Sequence, residues 1–227
     1  MLSRLCRLVS LGGLAATLCC PPWAVAQTVS IGGATFTNRG LVGVGRIPAN
    51  QRDRFGETVG SLSGLALDLR SWRKAADGTY AGTLYTQPDR GISRNGAPTN
   101  YTPRTHRFTV SFLPAPNGAS TQSQVGLTLT GSTLFTEANG TLMTALDPSP
   151  TVAGTRSGFP ALPQAYNGRP ALDPEGLVLL PDGTFFVSDE YGPYIHRFSA
   201  EGVLLSSIRP PEALVPKRDR KSTRLNS

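Results

Sequence analysis

The amino-acid sequence predicts an all-β fold. No segment carries the sustained apolar stripe, with a period of 3.6 residues, that marks an amphipathic helix. Short runs rich in β-branched and aromatic residues recur instead between turns that contain glycine or proline. The predicted strands lie at residues 64–69, 82–87, 106–113, 124–135, 175–180, 183–188, 194–199 and 202–208. The proline-rich stretch from Asp147 to Pro174 predicts an irregular connection between them.

An internal repeat favours a β-propeller. The segments "SGLALDL…GTLYTQPDRG…THRFTVSF" and "PEGLVLLPDGTFFVSDEYG…IHRFSAEG" share a Gly-Leu strand, a Gly-Thr strand, an acid-led loop that ends in glycine, and His-Arg-Phe. With a fourth strand after the second copy, the unit has the size of a propeller blade. At about 40 residues a blade, residues 27–218 supply about three to four blades of an expected six or seven. A β-sandwich with two similar hairpins is the alternative.

The N-terminal 26 residues resemble a secretory signal peptide. Arg4 and Arg7 precede an apolar run over 8–20, and small residues lead to a cleavage site near Ala26. A lipoprotein anchor at Cys20 ranks second, because the residues before it are not small. The mature protein is therefore expected to be secreted or periplasmic, and no later segment has the length and apolarity of a membrane span.

The C-terminal segment 219–227, "DRKSTRLNS", matches the in-frame translation of a common sequencing adapter. A polar, basic tail is the alternative interpretation. We interpret the segment as an artefact, which leaves residues 27–218 as a truncated propeller domain. The low blade count agrees with this truncation.

Charge and cysteine content narrow the functional classes. The net charge is +7, but five of the basic residues and one acidic residue lie in segments 1–26 and 219–227, which leaves +3 for residues 27–218. This balance argues against nucleic acid as a partner. All three cysteines lie before residue 27, so the mature domain has no disulfide and no thiol chemistry.

Four carboxylates flank two consecutive strands of the second repeat. Asp173 and Glu175 lie at the start of one strand, and Asp189 and Glu190 follow the next. The start of one antiparallel strand lies near the end of its neighbour, so these side chains are expected to converge. Carboxylate oxygens suit a hard cation such as Ca²⁺. We interpret Asp173, Glu175 and Asp189 as metal ligands, with a loop-capping role as the alternative for Asp189.

The candidate catalytic residues are Asp89, Arg90 and Glu190. Asp89 and Arg90 occupy the matching loop of the first repeat, where the guanidinium could hold a phosphate or carboxylate and the carboxylate could also cap its loop. A bound Ca²⁺ would polarise an ester. His106 and His196 occupy equivalent positions in the repeat, which predicts a structural role, such as a hydrogen bond from blade to blade, rather than catalysis. The sequence contains no Gly-x-Ser-x-Gly and no His-Glu-x-x-His motif.

The segment "DPEGLVLLPDGTFFVSDEYGPYIHRF", together with "SGLALDL…LYTQPDRG", resembles the secreted phytase-like family, described as "esterase-like activity of phytase". The resemblance covers roughly residues 60 to 215. It implies a β-propeller, export, and a hydrolase. The first hypothesis is therefore a secreted, metal-assisted hydrolase of phosphate or other ester substrates. The second hypothesis is a non-catalytic propeller that binds a ligand or partner at the same place.

Overall fold

The computed structural model describes residues 27–115 and 123–215, and the chain divides into two units, 1–40 and 41–227. The described part of the first unit is a hairpin of β1 (Thr28–Ile31) and β2 (Ala34–Thr37). Gly32 and Gly33 connect the two strands with φ values of 58° and 82°, as a tight hairpin turn requires. The predicted signal peptide and the predicted adapter segment lie outside the described residues.

The second unit contains two four-stranded antiparallel sheets, each with its strands in chain order. The first sheet, called the first blade, consists of β3 (Leu62–Lys74), β4 (Tyr80–Pro88), β7 (Arg104–Phe112) and β8 (Val125–Leu134). The second sheet, called the second blade, consists of β11 (Pro174–Leu179), β12 (Phe185–Asp189), β13 (Ile195–Phe198) and β14 (Leu204–Ile208). All eight predicted strands form, which confirms the all-β class.

Shorter elements lie between and after these strands. β5 (Ser93–Arg94) and β6 (Ala97–Pro98) form a small hairpin between β4 and β7. β9 (Pro148–Gly154) and β10 (Leu162–Ala165) pair between the two blades, where the sequence predicted an irregular connection. A single 3-10 turn, Glu212–Leu214, follows β14.

The blade count is lower than expected. The described residues form two four-stranded sheets rather than three or four, because residues 135–173 form only the two-stranded β9–β10 sheet and contribute apolar side chains to the core of the second blade. The first repeat also has a fourth strand, β8, so the two copies match strand for strand. These sheets do not close on one another in the described part of the chain, and the complete propeller stays a prediction.

One face of the second blade carries the main core. Phe185 and Phe198 pack against Phe135, and the Phe135–Phe198 ring centroids are 4.4 Å apart. Each fully buried phenylalanine contributes about 1.5–3 kcal/mol of transfer free energy. Ala66 and Tyr85 of the first blade pack against the same cluster, so this core joins the two sheets.

The two blades meet along their first strands, β3 and β11. Gly64 allows the close approach, because a Cβ atom there would lie 3.0 Å from the Glu175 carbonyl oxygen and 3.0 Å from Leu177 Cβ. Gln87 Nε2 donates a hydrogen bond across the interface to the Gly176 carbonyl oxygen at 3.2 Å. This contact brings the loop that follows β4 next to the loop that follows β12.

Candidate functional site

Backbone pairing at one end of the second blade assembles the acidic residues. Pro174 pairs with Asp189, and the Glu190 N–H donates to the Asp173 carbonyl oxygen at 2.9 Å. The first blade repeats this arrangement, since the Asp89 N–H donates to the Ser61 carbonyl oxygen, also at 2.9 Å. We call this end, with Asp89, Asp173, Glu175 and Glu190, the carboxylate mouth.

Three of these side chains come together closely. One carboxylate oxygen from each of Asp173, Glu175 and Glu190 lies within 4.8 Å of the other two. Asp173 is only 3% exposed, whereas Glu175 and Glu190 are exposed. Among the described residues, no group donates a hydrogen bond to Asp173 Oδ1. The predicted convergence of Asp173 and Glu175 is thus present in the structure.

Burial and mutual repulsion raise the pKa values of the carboxyl groups at the mouth. Burial raises the pKa of Asp173 to about 7, the Arg90 charge opposes this shift, and Glu190, Glu175 and Asp89 add to it. Burial also raises the pKa of Glu175, against a hydrogen bond from Ser63 and together with repulsion from Glu190. Neutralising one of the carboxylates, or placing a cation between them, would relieve this repulsion.

Asp189 has a different role from its neighbours. Its Oδ1 accepts hydrogen bonds from the N–H groups of Asp173 (2.9 Å) and Tyr191 (3.1 Å), and its Oδ2 accepts from that of Gly192 (3.2 Å). His196 Nε2 lies 3.5 Å from the same Oδ2. The buried carboxylate therefore fixes the loop, and the geometry places Glu190 rather than Asp189 beside the other two predicted ligands.

The alternation of side chains explains this difference between adjacent acids. Asp189 is buried at the end of β12, and the next residue, Glu190, is exposed at the mouth. The sequence placed both acids at one strand end but gave no measure of which one faced inward. Hydrogen bonds from backbone N–H groups hold the Asp189 side chain inward.

Arg90 is held at the mouth by Tyr191. The Arg90 guanidinium forms a hydrogen bond with the Tyr191 side chain, which raises the pKa of Arg90. The Tyr191 hydroxyl donates to the Ala145 carbonyl oxygen at 2.8 Å and lies 3.1 Å from Asp147 Oδ1. Sequence reasoning missed Tyr191 and Asp147, although Tyr191 occupies the position of Arg90 in the repeat alignment.

Asp89 lies half-buried on the first-blade side of the mouth. Its Oδ1 accepts a hydrogen bond from the Gly91 N–H at 2.7 Å, as the capping alternative predicted. Its charge also acts on Asp173 and Glu175 and raises the pKa of both. Asp89 therefore stabilises its loop through a backbone hydrogen bond and adds to the negative electrostatic potential of the mouth.

The two histidines form matching pairs within their own blades. His106 Nδ1 lies 2.7 Å from Ser132 Oγ, and His196 Nδ1 lies 2.8 Å from Ser207 Oγ. Both histidines are buried and hydrogen-bonded at equivalent positions, as a structural role requires, but each partner lies in the fourth strand of the same sheet rather than in the other blade.

Comparison with known proteins places these observations in a family. The sequence profile of the family described as "Phytase-like: Esterase-like activity of phytase" matches residues 57–227. The chain belongs to the phytase-like family. This confirms the resemblance that the two repeat segments indicated, and the match includes every residue of the carboxylate mouth.

A curated relative supports the assignment to the phytase-like family. An "Uncharacterized secreted protein" of Arthroderma benhamiae is 37% identical over 87% of this chain. The chain spans 41% of the length of that relative. No solved structure matches the chain. Within the described residues, no helix has the length and apolarity needed to cross a bilayer.

Proposed function

We propose that this chain is part of a secreted, metal-assisted hydrolase that acts on small phosphate or other esters at the carboxylate mouth. The observation that carries the proposal is the meeting of Asp173, Glu175 and Glu190 with Arg90, from adjacent blades, at one end of the sheets. Membership of the phytase-like family supports hydrolysis, and the description of the relative supports export.

Each group at the mouth has a chemical role in this proposal. A bound Ca²⁺ supplies Lewis-acid polarisation of a phosphoryl or carbonyl oxygen. Arg90, fixed by Tyr191, binds an anionic oxygen of the ester through its planar donors. Asp89 uses Oδ1 for the Gly91 N–H, and its Oδ2 accepts the proton of the attacking water. Glu190, predicted as catalytic, acts in this arrangement as a ligand.

Hydrolysis of nitrophenyl phosphate and nitrophenyl acetate, measured in the presence of Ca²⁺, tests the proposal. We expect Asp89→Asn to lower kcat by at least about 100-fold, which is the usual contribution of a positioned general base. We expect Arg90→Lys to raise KM, because the bidentate donor geometry is lost.

Asp77→Asn is the matched control for Asp89→Asn. Asp77 caps its turn in the same way, with Oδ1 accepting from the Thr79 N–H at 2.9 Å, but it lies in the β3–β4 turn at the other end of the first blade. Unchanged turnover in Asp89→Asn and Arg90→Lys would contradict the assignment.

The second candidate function is a non-catalytic propeller that binds a ligand or partner at the same mouth. The observation that favours it is the use of Asp89 and Asp189 as backbone caps, which leaves fewer carboxylates for proton transfer. Cation-dependent stability without turnover of either ester would support this function over hydrolysis.

A further inference from the structure

We propose that Asp173, Glu175 and Glu190 form a binding site for one hard divalent cation, Ca²⁺ in preference to Mg²⁺. This inference names the ligand set of the proposed hydrolase, but it rests on the contacts of the mouth and stands whether or not the protein turns over an ester.

The spacing of the three oxygens fits a single ion. Calcium binds oxygen at about 2.3–2.6 Å, so two ligands on opposite sides of the ion lie about 5 Å apart. The three carboxylate oxygens all lie within 4.8 Å of one another. They can therefore contact one cation without movement of the backbone.

Asp173 provides evidence for a ligand that is independent of the clustering. Its side chain is almost fully buried, yet its Oδ1 has no hydrogen-bond partner among the described residues. A buried acceptor left without a partner costs about 1–3 kcal/mol. A cation between the three carboxylates would lie against the Asp173 carboxyl group and supply the partner that this buried group lacks.

The backbone holds Asp173 in place before any ligand binds. Its N–H donates to Asp189 Oδ1 at 2.9 Å, and its carbonyl oxygen accepts from the Glu190 N–H at 2.9 Å. One of these bonds also ties Glu190 to the site. The ligands therefore come from one rigid corner between β11 and β12, which lowers the entropic cost of binding.

Protein cations do not neutralise the cluster directly. Among the described residues, no lysine, arginine or histidine lies within 4.0 Å of an oxygen of Asp173, Glu175 or Glu190 as an ion-pair partner. Arg90 is the nearby positive group, and its hydrogen bond to Tyr191 holds it beside the cluster. No direct ion pair in the described part of the chain therefore competes with a bound ion, and the Glu175 carboxylate accepts a hydrogen bond from the neutral Ser63 side chain.

The donor set indicates the kind of ion. Carboxylate oxygens select hard cations over the softer transition metals. Glu175 and Glu190 have long, exposed side chains, and the site is open to water, which suits the flexible six- to eightfold coordination of Ca²⁺ better than the strict octahedron of Mg²⁺.

Isothermal titration calorimetry of the chain with CaCl₂ alone, at constant ionic strength, tests the site. We expect saturable binding of one ion, weaker binding of MgCl₂, and at least about a tenfold loss of calcium affinity in both Glu175→Gln and Glu190→Gln. Both side chains are exposed, so these variants keep the core intact, unlike a change at Asp173.

Glu201→Gln is the matched control, because Glu201 is an exposed glutamate in the β13–β14 turn at the other end of the second blade. Its calcium affinity should equal that of the unchanged chain. Absence of saturable binding would overturn the proposed site. So would a calcium affinity in both mouth variants equal to that of the unchanged chain. Calcium binding without ester turnover would reject the hydrolase and retain the site. Ester turnover without calcium binding would reject the site and the metal assistance, and would retain only ester hydrolysis.

Discussion

At the scale of single residues, backbone hydrogen bonds decide what each acid of this chain does. Asp173 and Asp189 lie side by side and are both buried. Asp189 accepts three backbone N–H groups, whereas Asp173 Oδ1 accepts none among the described residues. The first is therefore a structural anchor, and the second is a candidate ligand.

The buried ion pair of the first blade gives a stability prediction. Arg104 Nη1 donates to Asp53 Oδ2 at 2.6 Å, and both side chains are almost fully buried. Asp53→Asn would leave the Arg104 charge buried without its partner, which should lower the free energy of unfolding by about 3–5 kcal/mol. Urea denaturation at pH 7 measures this loss.

Glu212→Gln provides the comparison for this prediction. Glu212 pairs with Arg209 at 3.4 Å on the surface, where both side chains are 66% exposed. Its removal should cost less than about 1 kcal/mol. Equal losses in the two variants would show that burial of the Asp53–Arg104 pair has no energetic consequence.

His106 predicts how stability depends on pH. Burial lowers its pKa to about 4, while the nearby Asp53 and Arg104 charges act in opposite directions. The unfolded state binds the proton more tightly, so this stability is complete above about pH 6.5 and is lost as the pH falls toward 4. His106 is expected to contribute a loss on the order of 3 kcal/mol between pH 7.5 and 4.5, while protonation of Asp173, whose pKa is raised, contributes a gain over the same fall in pH.

Urea denaturation at these two pH values, for the unchanged chain and for His106→Asn, measures the histidine contribution. The asparagine side chain can still bond to Ser132 but does not titrate, so the variant should lack the histidine contribution to the loss of stability at low pH. The same pH dependence in both proteins would exclude His106 as the cause.

Sequence patterns identified most of the mouth but not its internal division. Asp173, Glu175, Asp89 and Arg90 were predicted from strand ends and from the repeat, because pairing of antiparallel strands fixes where such residues lie. Glu190, and not the predicted Asp189, lies beside Asp173 and Glu175, because backbone N–H groups bind the Asp189 carboxylate. No local sequence pattern specifies the direction of those N–H groups.

At the scale of elements, the contact between β3 and β11 brings the two blades together. Gly64 lies at this contact, and an added Cβ would be 3.0 Å from Gln87 Cγ, the Glu175 carbonyl oxygen and Leu177 Cβ. Gly64→Ala should therefore separate the strands and destabilise the protein by about 1–3 kcal/mol, as overpacking does.

Gly126→Ala is the control for Gly64→Ala. Gly126 lies in β8, where the nearest atom to an added Cβ is Ser111 Cβ at an ordinary 3.7 Å. This variant should keep its thermal midpoint or raise it slightly, because alanine is favoured over glycine in a strand. A fall in midpoint of the same size in both variants would contradict close packing at Gly64.

Strand patterns predicted the blades but missed the hairpin between them. The eight blade strands show apolar runs bounded by turns, and these determine pairing. β9 and β10 contain Pro148, Pro150 and Pro163, which in the sequence indicate an irregular connection. A two-stranded hairpin has only edge strands, where proline is tolerated, so the proline content misled the prediction.

At the scale of the whole molecule, the pair of packed blades has two exposed apolar faces. One is the outer face of the second blade, and the other is the outer face of the first blade. Ala66 and Tyr85 of the first blade pack on the second, and the matching positions of the second blade are Val178, which is 57% exposed, and Phe186. On the other side, Leu65 is 68% exposed, although its counterpart Leu177 is buried. Consecutive blades of an incomplete propeller would show this pattern.

These open faces predict self-association of the chain in isolation. Exposed apolar patches and unpaired sheets favour association with other copies. Val178→Lys combined with Ile195→Lys, both on the open face of the second blade, should lower the weight-average mass in sedimentation velocity. Tyr166→Lys removes an apolar side chain that is 77% exposed in a loop and should not change it. A chain that stays monomeric at every concentration and unfolds cooperatively would contradict the interpretation of these sheets as part of an incomplete propeller.

Dividing the chain length by the size of a blade predicted too many blades, because residues 135–173 were counted as blade residues. Phe135, Met143, Leu162 and Leu172 of this connection instead form part of the core of the second blade. Long-range packing of this kind has no periodic signal in the sequence.

The central claim is that the carboxylate mouth between the two blades is a cation-holding functional centre. Anomalous diffraction from crystals of the chain grown with Tb³⁺, a scatterer that replaces Ca²⁺, tests it most directly. The account predicts a peak within about 2.3–2.6 Å of one oxygen from each of Asp173, Glu175 and Glu190. An ion bound through Asp189 instead, or an ordered mouth without a peak, would contradict it.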